Sequence, residues 1–349
     1  MKFPQRLGLP VAAVALVLAG LLCCPAVMAE PGARPPASRT FLFTYAGTIT
    51  QVSPGTMVRI WLPVPSNSAD QDVQIIAKDL PAEPQFNTEP KEQNRLLYFQ
   101  SPAKADGTVH FSIVYRITRR EVAEEGDASR SAADAAYLRP DELVPVGGKP
   151  AQVLLTDRSL PEDQFQVGRL LYNLVDDHLQ YRKDKPGWGR GDAVWACDSG
   201  FGNCTDFHSL FISLARTANI PAKFEIGFMI PSARGAGEVP GYHCWAKFKP
   251  QGHGWVPVDI SEANKNPQQR AYFFGHLCEN RVAFSSGRDL ELVPRQSGAA
   301  VNFLVDPYVE IDGKQWPADR IVRSYRYADT DPSEHPQPAS QSREEPQAR

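Results

Sequence analysis

Charge of one sign is scarce in this chain: 37 Lys and Arg stand against 40 Asp and Glu, a formal net charge of −3. There is no basic stripe with interleaved aromatics, so the composition does not point to a nucleic-acid partner. Long apolar runs are scarce as well. The one present, Leu9–Leu22, is shorter than the roughly 20 residues of a membrane-spanning helix. Neither a C-x-x-C redox motif nor C-x2-4-C metal spacing occurs. Internal repeats are absent. What remains is the balance of an ordinary globular protein, with 42% hydrophobic and 22% charged residues.

The apolar run follows Lys2 and Arg6 and is followed by Val27-Met28-Ala29. A basic start, an apolar middle and small residues at a cleavage position predict a secretory signal over 1–29, with cleavage near Ala29. The competing readings are an uncleaved N-terminal anchor and a lipoprotein at Cys23 or Cys24, whose preceding Gly20-Leu21-Leu22 fits lipid attachment poorly. The predicted location is therefore exported, periplasmic or extracellular. Four cysteines follow the leader: Cys197, Cys204, Cys244 and Cys278. If Cys204 is a free thiol, at most one structural disulfide remains, with Cys197 as its favoured member. A reversible Cys197–Cys204 bond stays open.

The remaining chain divides by pattern. Residues 30–39 read as a disordered lead-in. Residues 40–120 carry five short β runs separated by turn signals, among them Val109, Phe111, Ile113, Tyr115 and Ile117 in strict alternation. They predict a small β-sandwich-like domain, a docking module in function. Residues 121–158 read as a linker or exposed helix. A second organised region, 159–317, opens on a predicted helix whose capping box is Ser159 and Glu162 and whose apolar face carries His178. A mostly disordered polar tail is expected over 318–349.

The chemistry concentrates in two places. Phe207, Leu210, Phe211, Leu214, Ala215 and Ala218 trace one face of a helix whose first turn holds Asp206 and whose end is marked by Asn219 and Pro221. Cys204 then sits at the helix start, where the dipole favours a thiolate. On its own it is equally a small buried hydrophobe. Downstream, Tyr242–Lys249 and Gly254–Ile260 form a predicted hairpin. With the turn centred on Gln251, His243 faces Asp259 directly, and His243, Trp245, Trp255 and Asp259 share a face. A nucleophile at a helix start, with a base and an orienting carboxylate on a hairpin, is the equipment of thiol acyl transfer. Two rival sites are weaker: a metal at Cys197, Cys204 and His208, and a Cys197/Cys204 redox pair. His208 otherwise reads as a partly buried helix residue, His178 as a hydrogen-bonded core residue, and Asp206 as structural, ordering the loop.

The runs Gly202-Asn203-Cys204-Thr205-Asp206, Leu214-Ala215-Arg216, Ile220-Pro221-Ala222, Tyr242-His243-Cys244-Trp245 and Gly254-Trp255-Val256-Pro257-Val258-Asp259 resemble the core of the bacterial transglutaminase-like superfamily. The resemblance covers residues 160–265. It implies an α+β fold: a papain-like transglutaminase core, with the cysteine helix packed on an antiparallel sheet, preceded by the β-sandwich-like domain. It implies Cys204 as nucleophile, His243 as general base and Asp259 as orienter, with an oxyanion held by backbone N–H groups including that of Cys204. Trp188 and Trp195 lie upstream, where family members can carry a helper tryptophan, but neither matches a motif. No metal or organic cofactor is implied, and the partner is a protein or peptide substrate. Hydrolysis is slightly favoured over transamidation, and a non-catalytic envelope protein for binding or assembly is the alternative. Specificity is expected in the loops Lys183–Trp195 and Ser232–Gly241.

Overall fold

Strict alternation of apolar and polar residues sets the first layer of the structure, a computed structural model that describes residues 36–124, 126–129 and 131–331. The expected leader and the residues from 332 onward lie outside this range. Strand β1 (Ser38–Ile49) buries Phe41, Phe43, Tyr45 and Ile49. β2 (Met57–Val64), β3 (Gln71–Asp79), β4 (Gln85–Thr88) and β5 (Arg95–Pro102) follow. β6 (Val109–Arg120) buries the five alternating residues identified in the sequence and pairs antiparallel with β1, Ser38 facing Arg120 and Ile49 facing Val109. The short Gln85–Thr88 strand, rich in polar residues, has no β-branched or alternating signature, which is why the pattern misses it.

The segment 121–158 is more ordered than a linker. It holds a 3-10 turn at Ala132–Leu138 and helix α1 (Gly148–Leu154). Asp134 in that turn is buried and pairs with Lys249 Nζ at 3.0 Å. Helix α2 spans Gln164–His178 and is capped by Asp163, whose carboxylate accepts from Gln166 N at 3.0 Å. The cap is thus Asp163 rather than Ser159, because the first apolar residue turned inward is Val167. β7 (Gln180–Tyr181) pairs with β8 (Phe201–Gly202), and between them lies α3 (Ala193–Ser199). Then come α4 (Cys204–Thr217), β9 (Ala222–Met229), β10 (Ala236–Glu238), β11 (Tyr242–Phe248), β12 (Val256–Val258), α5 (Ile260–Lys265), β13 (Arg281–Ser286), β14 (Tyr308–Ile311), β15 (Lys314–Gln315) and β16 (Ile321–Asp329).

The strands form three main sheets. The order β12-β11-β9-β13 carries α4 against it, while β10-β16-β1-β6-β3 and β15-β14-β2-β5-β4 form the β layers. The α+β architecture, with a cysteine-bearing helix packed on an antiparallel sheet and a strand-rich region before it, is the one expected. Its boundaries are not those of the sequence pattern. β16 runs antiparallel along β1, Phe41 facing Asp329 and Ile49 facing Ile321, so residues 321–329 are a sheet strand rather than part of a polar tail. Only Ile321, Tyr325 and Tyr327 of that strand are buried, which leaves too few apolar residues for the pattern to register.

One hydrophobic cluster runs through both halves. Phe43 meets Phe228 with ring centroids 5.0 Å apart, and Phe228 meets Tyr325 at 4.4 Å. The first strand, the middle of the core sheet and the last described strand therefore share a single core.

Candidate active site

Helix α4 starts where its cap forces it to. Asn203 accepts from Thr205 N at 2.9 Å through Oδ1, and Asp206 Oδ2 accepts from Asn203 N at 2.9 Å, a reciprocal capping box. Asp206 also accepts from Gly189 N at 2.8 Å and Gly191 N at 3.0 Å. The loop before α3 is thus sewn to the helix start by one buried carboxylate. Gly202 permits this closeness: a Cβ there would lie 2.5 Å from the Asp206 side chain. Burial pushes the Asp206 carboxyl up to about 6, against three backbone N–H groups that favour the anion. The structural role assigned to Asp206 is the one observed.

Cys204 is the first residue of the helix and 2% exposed. Among the described residues no acceptor takes its backbone N–H, which is one of the orphan donors of a helix start. Its thiol is held well below the ordinary thiol range. The Cys244 thiol donates to it, and the His243 ring adds a hydrogen bond and a positive charge, together outweighing burial.

His243 sits in β11 and Asp259 just after β12. The observed hairpin register pairs Ala246 with Val258, Lys247 with Pro257 and Phe248 with Val256. Each pair sums to 504, so the turn centres on Gly252 rather than Gln251. His243 and Asp259 are therefore diagonal neighbours, not directly opposed. The shift changes the sum by two and leaves every side chain on its predicted face. Asp259 Oδ2 accepts from His243 Nε2 at 2.7 Å. That leaves Nδ1 for the sulfur of Cys204. Burial would depress the imidazole, but the Asp259 carboxylate and the Cys204 sulfur push it up to about 10. Asp259 is fully buried and caps α5, its Oδ1 accepting from Glu262 N at 3.1 Å. His243 and the fully buried Arg281 keep its carboxyl far below the usual range despite burial. Cys204, His243 and Asp259 thus converge.

The other cysteines and histidines fall elsewhere. Cys197, Cys204, Cys244 and Cys278 are all free thiols, so neither a Cys197 disulfide nor a Cys197–Cys204 bond is present. His178 bonds the Cys197 carbonyl at 2.7 Å, the core role expected of it. His208 is fully buried rather than partly. Its Nδ1 donates to the Cys204 carbonyl at 2.8 Å and its Nε2 accepts from Ile260 N at 3.1 Å. Both ring nitrogens are committed to backbone, which leaves none for a metal. Burial pulls this histidine down to about 4, so it is neutral.

Sequence reasoning missed Arg281, the position of Cys244, and helix α3. The helix had a signal in Asp192, whose carboxylate accepts from Val194 N and Trp195 N, ahead of Ala193-Val194-Trp195-Ala196. Arg281 had none, since nothing in the order of residues places it under Asp259.

Two cavities flank the site. One, of about 560 Å³, is lined by Asn203, Tyr242, Lys183, Trp188 and Glu238, and on its far side by Asp306, Arg323 and Tyr325. The other, of about 360 Å³, is lined by His243, Tyr181, Lys183, Tyr242, Glu262 and Lys265. Lys183 and Tyr242 border both. The two loops expected to set specificity supply much of these walls, and the β layer supplies the rest.

Residues 155–260 match the family profile described as the transglutaminase-like superfamily, a span that contains Cys204, His243 and Asp259. An uncharacterized protein of Haemophilus influenzae is 33% identical over 181 residues, which are 43% of this chain and 49% of that protein. The alignment thus spans about half the length of that relative. Among solved structures, a candidate cysteine protease from Cytophaga hutchinsonii superposes with a TM-score of 0.49 at 13% identity, covering 84% of this chain and 99% of its own. The periplasmic domain of TgpA from Pseudomonas aeruginosa gives 0.36 at 15%, covering 68% and 96%.

Proposed function

We propose that this transglutaminase-like chain is a thiol acyl-transfer enzyme acting on an amide, either a peptide bond or a glutamine side chain. The observation that carries the reading is the line Cys204–His243–Asp259, with the sulfur at a helix start and the imidazole fixed by a 2.7 Å bond to a buried carboxylate. The Cys204 sulfur forms a bond to the amide carbon, and the carbonyl π pair moves to oxygen. The resulting oxyanion lies by the free N–H of Cys204. As the C–N bond breaks, His243 gives its proton to the departing amine. Water or an amine then resolves the thioester, with His243 taking a proton from the incoming group. Hydrolysis is favoured slightly over transamidation.

Asp259 fixes the ring orientation through Nε2 and stabilises the imidazolium. Its loss removes both effects. A protein or peptide substrate fits the two open cavities, and no cofactor enters the steps. Export belongs to the same proposal, resting on the leader pattern that ends near Ala29; among the described residues no helix is long and apolar enough to cross a membrane.

The test is a peptide library incubated with wild type and with Cys204→Ala, with and without an added amine. Product release that is lost in Cys204→Ala supports the reading, and the amine arm separates hydrolysis from transamidation. If Cys204 is alkylated no faster in the folded protein than in the unfolded one, the chain is a binding or assembly protein.

A further inference from the structure

We propose that Tyr242 is a catalytic residue, its phenol O–H donating to the oxyanion alongside the backbone N–H of Cys204. The inference rests on the acyl-transfer reading and deepens it. It comes from the direction of one hydrogen bond, and that direction is fixed by a helix cap.

Asn203 must present its oxygen, not its nitrogen, to the helix: Oδ1 accepts from Thr205 N at 2.9 Å and from the Thr205 hydroxyl. Its amide orientation is therefore set by two donors rather than left to choice. The other end, Nδ2, faces the Tyr242 hydroxyl at 3.1 Å. An amide N–H can only donate, so the phenol oxygen accepts there. Its own proton is left without an acceptor among the described residues.

That proton faces the right place. Tyr242 and Asn203 together line the larger cavity, and Tyr242 borders the smaller one beside His243. Asn203 immediately precedes Cys204, so the phenol lies beside the helix start whose first N–H is free. A Cβ on Gly189 would fall 3.8 Å from the phenol oxygen and 3.6 Å from Asn203 Nδ2, so glycine leaves this corner open. Burial and the nearby Cys204 sulfur both push the phenol far up, which keeps it protonated and a donor at any working pH. A neutral donor aimed at the space beside a nucleophile, with no ground-state acceptor, stabilises charge that appears only during reaction.

Two reagents separate this role from thiol activation. Iodoacetamide alkylates sulfur by displacement and forms no oxyanion; p-nitrophenyl acetate acylates it through a tetrahedral oxyanion. In Tyr242→Phe the acylation rate of Cys204 is expected to fall about 10²-fold, the size reported for loss of one oxyanion donor, while alkylation stays within about twofold of wild type. Equal falls in both rates, or no fall in acylation, would overturn the assignment; a thermal melt of Tyr242→Phe shows whether equal falls come from lost packing. Wild type that is alkylated rapidly but never acylated would instead sink the acyl-transfer reading itself. A third arm, Asn203→Ser, keeps a capping oxygen but removes the donor to the phenol. It is expected to lower acylation more than alkylation, by freeing the hydroxyl to turn away.

Discussion

His243 and Arg281 donate to the same carboxylate oxygen, Asp259 Oδ2, at 2.7 and 3.1 Å. Both are almost fully buried, with Arg281 stacked over Trp245 at 5.0 Å and its Nη2 3.6 Å from Cys278 Sγ. The carboxylate is thus anchored from one side and offered to the imidazole from the other. Removing one partner of a buried ion pair strands the other. Arg281→Met is expected to lower stability by about 3–5 kcal/mol in urea melts. A loss under about 1 kcal/mol would show that the carboxylate is stable without it.

Alkylation of Cys204 as a function of pH reads its thiolate. The rate should already be flat across neutral pH in wild type, because Cys244 and His243 hold the thiol down. It should change again only near pH 10, where His243 gives up its proton. His243→Ala is expected to move the midpoint up toward the ordinary thiol value of about 8.5. Cys244→Ala should move it upward too, since a hydrogen-bond donor is lost from the sulfur. Midpoints that stay put in both variants would disprove the activated thiol.

His208 and His243 give stability opposite pH slopes. His208 has a folded value near 4, below the unfolded value of about 6.5, so its contribution is present above that pH and lost as pH falls toward 4. His243 is raised to about 10, so its contribution is present below about pH 6.5 and lost as pH rises through 10. Chemical denaturation of His208→Gln should show a lower overall stability but a flatter acid limb, by up to about 3 kcal/mol between pH 6.5 and 4. An acid limb as steep as wild type would mean His208 is already charged in the fold.

Lys183 borders both cavities and has its ammonium 5.6 Å from the Tyr181 ring centroid and 5.4 Å from that of Trp188. A cation held there attracts an anion entering toward Cys204. The ratio of alkylation by iodoacetate to that by iodoacetamide should fall about threefold in Lys183→Met at low salt and less at high salt, as expected of an exposed charge. An unchanged ratio would remove Lys183 from substrate recognition.

How far these features were legible depends on the range of the interaction. The helix start at Cys204 and the alternating strands are local, written in residues three, four or two apart. The His243–Asp259 pair survived a wrong turn centre because the period of a strand is two, and the error was even. Arg281 under Asp259, Cys244 against Cys204, and Asp206 binding the amides of Gly189 and Gly191 were silent, since each depends on segments brought together only by packing. The β layers show the same limit: β1 and β6 could be read, but the return of β16 to β1 could not.

That return has a consequence in time. β16 supplies Arg323, Ser324 and Tyr325 to the wall of the cavity beside Asn203. A ribosome that has released residues up to 300 has already made the thiol, the imidazole and the carboxylate, yet not the wall that faces them. Until Ile321–Asp329 zips onto β1, a nascent chain holds its reactive sulfur without a finished place for substrate, and a protease cut ahead of β16 would return it to that state.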